Sequence, residues 1–147
     1  MKNTENNGTA YTIIVGCGRL GSSLAEALSD AKEDVIIIDK DKNAFRKLDS
    51  SFGGMTLTAD GMDMDVLEEA GIRKATNIVL VTNSDNVNIM IAQLAKESFR
   101  KDRVICRLYD PEREVIYQAL NIRTICPAIL SAHAVETMIA GGKEAAL

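Results

Sequence analysis

Tryptophan is absent from this 147-residue chain, histidine occurs once, proline twice, and aromatic residues make up only 4% of it. So few rings argue against a stacking platform for single-stranded nucleic acid. Positive charge is also scarce. The 17 Lys and Arg are outnumbered by 21 Asp and Glu, for a formal charge of −4, so no broadly basic surface for DNA or RNA is expected. Long apolar runs are missing. Val35-Ile36-Ile37-Ile38 falls far short of the roughly 20 residues a membrane helix needs. The polar stretch Met1 to Ala10 has no apolar signal core and reads as a disordered tail. The three cysteines, Cys17, Cys106 and Cys126, are far apart, odd in number and form no CxxC pair. That gives no support to a metal cluster or a disulfide framework, and a reducing cytoplasm is the natural compartment.

What is present is a steady alternation. Tyr11 to Val15 is a β-branched run ended by glycine, a buried-strand signal. Leu20, Leu24, Leu28 and Ala31 then share one face of a helix near 19–32. Asp34 to Asp39 is a second strand, apolar enough in its middle to be covered on both faces. Asp41 can cap a helix carrying Phe45 and Leu48, and Met55 to Thr58 is a weaker third strand. Met62 to Ala70 reads as a helix stopped by Gly71, and Asn77 to Val81 as strand four. Ser84 or Asp85 caps a helix with Val87, Met90, Ile91, Leu94 and Ala95 inward, and Arg103 to Arg107 is strand five. Asp110-Pro111 opens a helix with Val115, Ile116, Ala119 and Leu120 inward. Arg123 to Cys126 is strand six, and Pro127 starts a last helix ending at Gly141-Gly142. Six strands alternating with helices predict an α/β, Rossmann-type, doubly wound six-stranded parallel sheet. It forms a single domain over 11–142, with tails at 1–10 and 143–147.

The chemistry concentrates in the first turn. Gly16-Cys17-Gly18-Arg19-Leu20-Gly21 follows strand one and opens helix one. In that context Gly16 permits the tight turn, Gly18 lets a pyrophosphate approach the backbone, and Gly21 lets helix and strand pack closely. The helix N-terminus offers free N–H groups to the anion. Asp39 ends strand two, 18 residues after Gly21. A carboxylate there accepts hydrogen bonds from the ribose hydroxyls and repels a 2′-phosphate, favouring NAD(H) or adenine nucleotides over NADP. Lys40 next door softens that exclusion. Arg19 opposes the helix dipole, which makes sense if it pairs with excess phosphate charge; otherwise it faces solvent. Asp60 and Thr82 stand at the ends of strands three and four, where Asp60 can receive an adenine amino group and Thr82 can lie near phosphates. The plainer alternative is that both segments cap the next helix.

No catalyst is apparent. His133, the only histidine, lies beside Ala132 and Ala134 within the last helix and reads as a packing residue. Cys17 sits at a helix N-terminus, where a thiol pKa can fall. It has no histidine nearby in sequence and reads as filling space. The dinucleotide fold uses up the chain, leaving no residues for a substrate domain.

Five stretches carry a family resemblance: IIVGCGRLGSSLA at 13–25, VIIID at 35–39, Ala59-Asp60-Gly61 with VLEEAGI at 66–72, Asn86-Val87-Asn88, and VICRLYDP at 104–111. Together they resemble the RCK domains (also called KTN or TrkA-N domains) of potassium transport, over about Tyr11 to Gly142. The resemblance implies a regulatory domain that binds NAD(H), ATP or ADP and performs no chemistry. It also implies cytoplasmic placement at the inner face of the membrane. Homodimers there assemble into an octameric ring beneath a membrane-embedded potassium-translocating subunit, with no nucleic-acid partner. By the same resemblance, Gly16, Gly18, Arg19 and Gly21 hold phosphates, Asp39 holds ribose, and Asp60, Thr82 and Arg107 line the site. Asn88 opens onto this region without an assignable role. Family members usually continue into a C-terminal subdomain, and the chain is therefore expected to be either a truncated piece or a minimal one-domain subunit. That subdomain's functions are not carried over. Assembly is independently suggested by Ile129, Leu130, Val135, Met138 and Ile139, which wrap most of the last helix. The alternatives are the cofactor-binding half of an NAD-dependent oxidoreductase and, more remotely, a redox-sensing repressor, which would need a DNA-binding domain.

Overall fold

The computed structural model of the chain describes residues 10–141. Of the expected N-terminal tail only Ala10 is described, and its carbonyl accepts a hydrogen bond from Asp34 N at 3.2 Å. The remainder of that tail, the tail at 143–147 and Gly142 lie outside the described residues.

Six parallel strands form one sheet: β1 (Tyr11–Val15), β2 (Asp34–Asp39), β3 (Met55–Thr58), β4 (Asn77–Leu80), β5 (Val104–Arg107) and β6 (Arg123–Ile125). Their order is β3-β2-β1-β4-β5-β6. The chain walks outward from β1 in one direction, then returns and walks outward in the other. β1 and β4 are therefore adjacent but not consecutive, and a crevice opens at their carboxyl ends, where ligands bind in open sheets of this kind. Ile13 of β1 sits between Ile36 of β2 and Ile78 of β4.

Strand alternation divides the apolar residues between two cores. Ile13, Val15, Ile36, Ile38, Ile78 and Leu80 point to one face, and Ile14, Val35, Ile37, Val79 and Val81 to the other. The first face is covered by α2 (Met64–Glu69), α3 (Asp85–Gln93) and α4 (Glu114–Ala119), through Leu67, Ile91, Ala92 and Tyr117. The second is covered by α1 (Arg19–Asp30), through Leu20, Leu24, Ala25 and Leu28, and by a short 3-10 helix at Lys42–Lys47. Asp41 caps that helix by accepting from Asn43 N, and Ser84 caps α3 by accepting from Val87 N. α2 begins two residues later than the sequence suggests because Asp63 accepts from Asp65 N and caps it there. Gly71 ends it with φ +86°, which a glycine adopts without a Cβ clash.

Several inward faces are corrected. Met90 is exposed on α3, and Val115, Ile116 and Ala119 are exposed on α4. A 3-10 turn at Pro111–Arg113 precedes α4 and changes the phase of the helix. Tyr117 becomes its buried residue, with a hydroxyl that donates to the Asp85 carbonyl at 3.1 Å. The last helix, α5 (Pro127–Ile139), has no buried residue and contributes to neither core. His133 is therefore exposed, not packed. No helix of the described residues is long and apolar enough to cross a membrane.

Candidate functional site

The β1–α1 turn opens onto a cleft of about 380 Å³ at the carboxyl end of the sheet. Its wall runs from Asp39 on β2, past Gly16 and Gly18, to Thr82 after β4 and Arg107 on β5. The three glycines do three different jobs. Gly16 takes φ +108°, and a Cβ on it would come within 2.7 Å of the Val81 carbonyl oxygen. A Cβ on Gly21 would lie 1.9 Å from the Gly16 carbonyl oxygen, so the helix can approach the turn only without one. A Cβ on Gly18 would meet nothing within 4 Å. That open space above the backbone is where a phosphate can come close. α1 has neither a side-chain N-cap nor an acidic residue in its first turn, so its first N–H groups remain available to an anion.

Asp39 has a role beyond the one its position suggests. One carboxylate oxygen accepts from Cys17 N at 2.8 Å and the other from Asp41 N at 2.8 Å. The acid thus braces the glycine turn against β2, and each oxygen keeps a second lone pair for a further donor. Cys17 fills space, as expected, with 1% exposure. Burial first, and the Asp39 carboxylate second, raise its thiol pKa above the usual value. Burial and the neighbouring carboxylate disfavour the thiolate, which fits a residue that fills space and not a nucleophile.

Asp60 and Lys40 both line the cleft and lie 3.8 Å apart as an exposed pair. One Asp60 oxygen also accepts from Met62 N at 2.9 Å, so this acid is partly engaged in its own turn. Arg19, Leu20 and Gly21 are not part of the cleft wall, and the Arg19 side chain is exposed at the start of α1.

The residue that the sequence left without a role is Asn88. It is fully buried, and its amide uses both ends. Its Oδ1 accepts from Thr82 N at 3.0 Å and from the Thr82 hydroxyl at 2.6 Å. Its Nδ2 donates to the carbonyls of Thr82 at 3.2 Å and Arg107 at 3.1 Å. Asn88 therefore ties the end of β4 to the end of β5 and holds the cleft's far wall. The sequence offered only an asparagine between Val87 and Ile89 on the helix after strand four, which does not reveal what its amide holds.

A carboxylate at the end of β2, an open glycine turn and an arginine on the far wall, arranged across the switch point of a parallel sheet, define a Rossmann-type nucleotide-binding domain. Among the described residues no group of three or more His, Cys, Asp or Glu could hold a metal ion. The TrkA-N domain profile matches residues 12–127, and the chain belongs to that family. The Trk system potassium uptake protein TrkA of Streptomyces coelicolor is 46% identical over 115 residues, 78% of this chain and 52% of that protein. A TrkA homolog from Pyrococcus abyssi is 33% identical over 111 residues, 76% of this chain and 49% of that one. The chain thus spans about half the length of these relatives. Among solved structures, the GsuK channel bound to NAD superposes with a TM-score of 0.72 at 14% identity, covering 88% of this chain and 24% of that one. GsuK bound to ADP gives 0.68 at 13% identity, covering 82% and 32%. The AMP-bound Kef C-terminal domain of Shewanella denitrificans gives 0.69 at 21% identity, covering 92% and 84%. These likenesses establish the fold.

Proposed function

We propose that this domain, over 11–142, is the nucleotide-sensing unit of a potassium-uptake system. An adenine nucleotide, either NAD(H) or ATP/ADP, binds in the cleft between β1 and β4, and its occupancy biases a membrane-embedded potassium-translocating partner. The observation that carries this is the uncapped, uncrowded turn at Gly18 facing the Asp39 carboxylate. In this reading Gly16 to Gly21 cradle the phosphates, and Arg19 meets their excess charge from the helix side. Asp39 takes the ribose hydroxyls, and Asp60 and Lys40 border the base. The curated relatives' names, and the NAD, ADP and AMP in the related structures, support it.

The domain works as a regulator without chemistry of its own. A ligand shifts a conformational equilibrium only through different affinities for the two states, so ATP against ADP, or NADH against NAD, is the relevant comparison. Assembly is the route by which the signal leaves the domain. Ile129, Leu130, Val135, Met138 and Ile139 are all exposed on α5, and covering them favours a homodimer that builds a ring, octameric by resemblance, on the cytoplasmic side of the membrane.

Calorimetry with NAD, NADH, ATP and ADP tests the reading. At least one should bind with a Kd at or below about 100 μM, roughly −5.5 kcal/mol. Absence of binding by all four overturns it. Turnover of a hydroxy or amino acid with NAD would instead make the chain the cofactor half of an oxidoreductase.

A further inference from the structure

The chain is acidic overall, yet its positive charge is unevenly spread. Arg73 and Lys74 precede β4, Arg100, Lys101 and Arg103 precede β5, and Arg123 opens β6. These are the amino ends of three neighbouring strands, at the end of the sheet away from the cleft. Contacts join the turns into one surface. Lys101 Nζ donates to the carbonyls of Arg73 and Ala75, both at 3.0 Å, and the Arg103 carbonyl accepts from Ile78 N at 2.9 Å. The Arg73 guanidinium lies over the Phe99 ring, 5.4 Å from its centroid, and Arg123 pairs in register with Ile105 of β5. The turns carry these six cations and one acid, Asp102. The helix ends that lead into them add Lys96 against Glu68, Glu69 and Glu97. The rim is therefore +3 and the rest of the chain −7, on a total of −4.

Helix C-termini attract cations, but that does not account for the placement. α1 ends at the same edge of the sheet, and Asp30, Glu33 and Asp34 surround a single Lys32 there. The charge on the β4–β6 side is also held at a cost. Arg100 has φ +53°, where a glycine or asparagine is less strained. Arg73 pairs with Glu68 at 2.9 Å, but among the described residues the other five cations make no ion pair. Lys74, Arg100, Arg103 and Arg123 are exposed. Nor does the rim specify a discrete anion. Among the described residues the only buried side-chain nitrogen or oxygen without a partner is Arg107 Nε, on the opposite end of β5. Exposed cations spread over three strand ends suit an extended anionic surface.

We propose that this rim docks on the anionic lipid headgroups of the membrane that holds the potassium-translocating partner. The proposal rests on the membrane placement argued under the proposed function. A bilayer is a plane and meets one end of the sheet at a time. β1 has five residues, about 16 Å of strand, and the Debye length at physiological ionic strength is about 8 Å. With the rim on the headgroups, the acids at the cleft end are screened from the lipid charge and the rim is not. The uneven charge turns the domain rim-first. That orientation leaves the nucleotide cleft facing away from the lipid and open to the cytoplasm.

Co-sedimentation of the full chain with large vesicles, without nucleotide, provides the test. The vesicles are phosphatidylcholine alone or an equal mixture with phosphatidylglycerol. The native chain should bind the anionic vesicles about 10-fold or more tightly than the neutral ones. That preference should vanish at about 1 M salt, where the Debye length is about 3 Å. Arg100→Gly with Arg103→Gln should weaken binding to the anionic vesicles about 10-fold or more. The thermal midpoint should hold, since glycine suits that φ. Lys42→Gln with Arg46→Gln removes the same charge from the exposed 3-10 helix after β2 and should change binding less than about 2-fold. Should the first variant not fold, Lys74→Gln with Arg123→Gln, both exposed, takes its place with the same expected loss. Equal binding to the two kinds of vesicle, or an equal loss in the rim and control variants, overturns the proposal. Binding of a poly-glutamate peptide without binding of the anionic vesicles also overturns it, and assigns the rim to an acidic protein segment. None of these results touches nucleotide sensing, which falls only if calorimetry shows no nucleotide bound.

Discussion

A single side-chain amide holds the far wall of the cleft together. Removing it in Asn88→Ala would leave the Thr82 N–H and the Arg107 carbonyl without their side-chain partner. Each such buried group costs on the order of 1–3 kcal/mol. The variant should lose about 2–4 kcal/mol of stability in urea unfolding and bind nucleotide more weakly; an unchanged midpoint would show that the loop adapts. The glycines offer a sharper contrast. Gly18→Ala adds a methyl to open space, so its unfolding should stay within about 0.5 kcal/mol of the native chain. Nucleotide affinity should fall, because the methyl occupies the phosphate's approach. Gly21→Ala puts that methyl 1.9 Å from a carbonyl oxygen and should destabilise by about 2 kcal/mol or more, with or without ligand. Thermal unfolding with and without ADP separates the two. The turn formed by Gly16, Gly18 and Gly21 was legible in the sequence because it lies within one local strand–turn–helix unit, and the place of Asp39 because it ends the next strand. Asp39's grip on Cys17 N and Asn88's bracket were not, since both depend on where other strands end.

At the scale of elements, the strands were read nearly to the residue, and the helix faces less well. The inner strands β1, β2 and β4 are buried on both sides, so an apolar β-branched run marks them without any phase to misjudge. A short helix has a phase, and a 3-10 turn before it shifts that phase. Hence Val115 and Ile116 point outward and Tyr117 inward. α5 shows the reverse situation. Its all-round apolar sequence was legible, and the fold leaves that surface uncovered. Charges placed on it should break an assembly and leave the fold alone. Leu130→Asp with Val135→Asp should convert an oligomeric species to monomer in sedimentation velocity, with the thermal midpoint of the monomer unchanged. An unaltered sedimentation coefficient would remove α5 from the interface.

At the scale of the whole molecule, buried titratable groups set the alkaline limit. Burial pushes the Cys106 thiol from its ordinary 9.0 up to about 12. Burial first, and the Asp85 charge second, push the Tyr117 hydroxyl from 10.0 to about 12. The unfolded chain loses these protons first, so ionisation favours unfolding. Stability should hold through neutral pH and decline between about pH 9 and 12. Urea midpoints at pH 7, 9 and 10.5 check this. A flat profile would mean that these groups are reached by water. Binding acts in the other direction: nucleotide at 100 times its Kd should add about 2.7 kcal/mol.

By itself, the sequence determined the six strands, their parallel arrangement and the glycine turn. These follow from local chemistry: where a chain is β-branched, where it lacks a Cβ, and where a helix begins without a cap. The position of Asp39 at the end of β2 could be placed as well, because its spacing from Gly21 is set by one helix and one strand. Only the tertiary structure decided what stands opposite that turn. Arg107 is 86 residues beyond Gly21 in the chain, yet the strand order puts β5 one strand from β4 and its guanidinium at the glycine turn. The tertiary structure also decided that α5 lies uncovered. Burial depends on which surfaces meet, and spacing along one chain does not encode that.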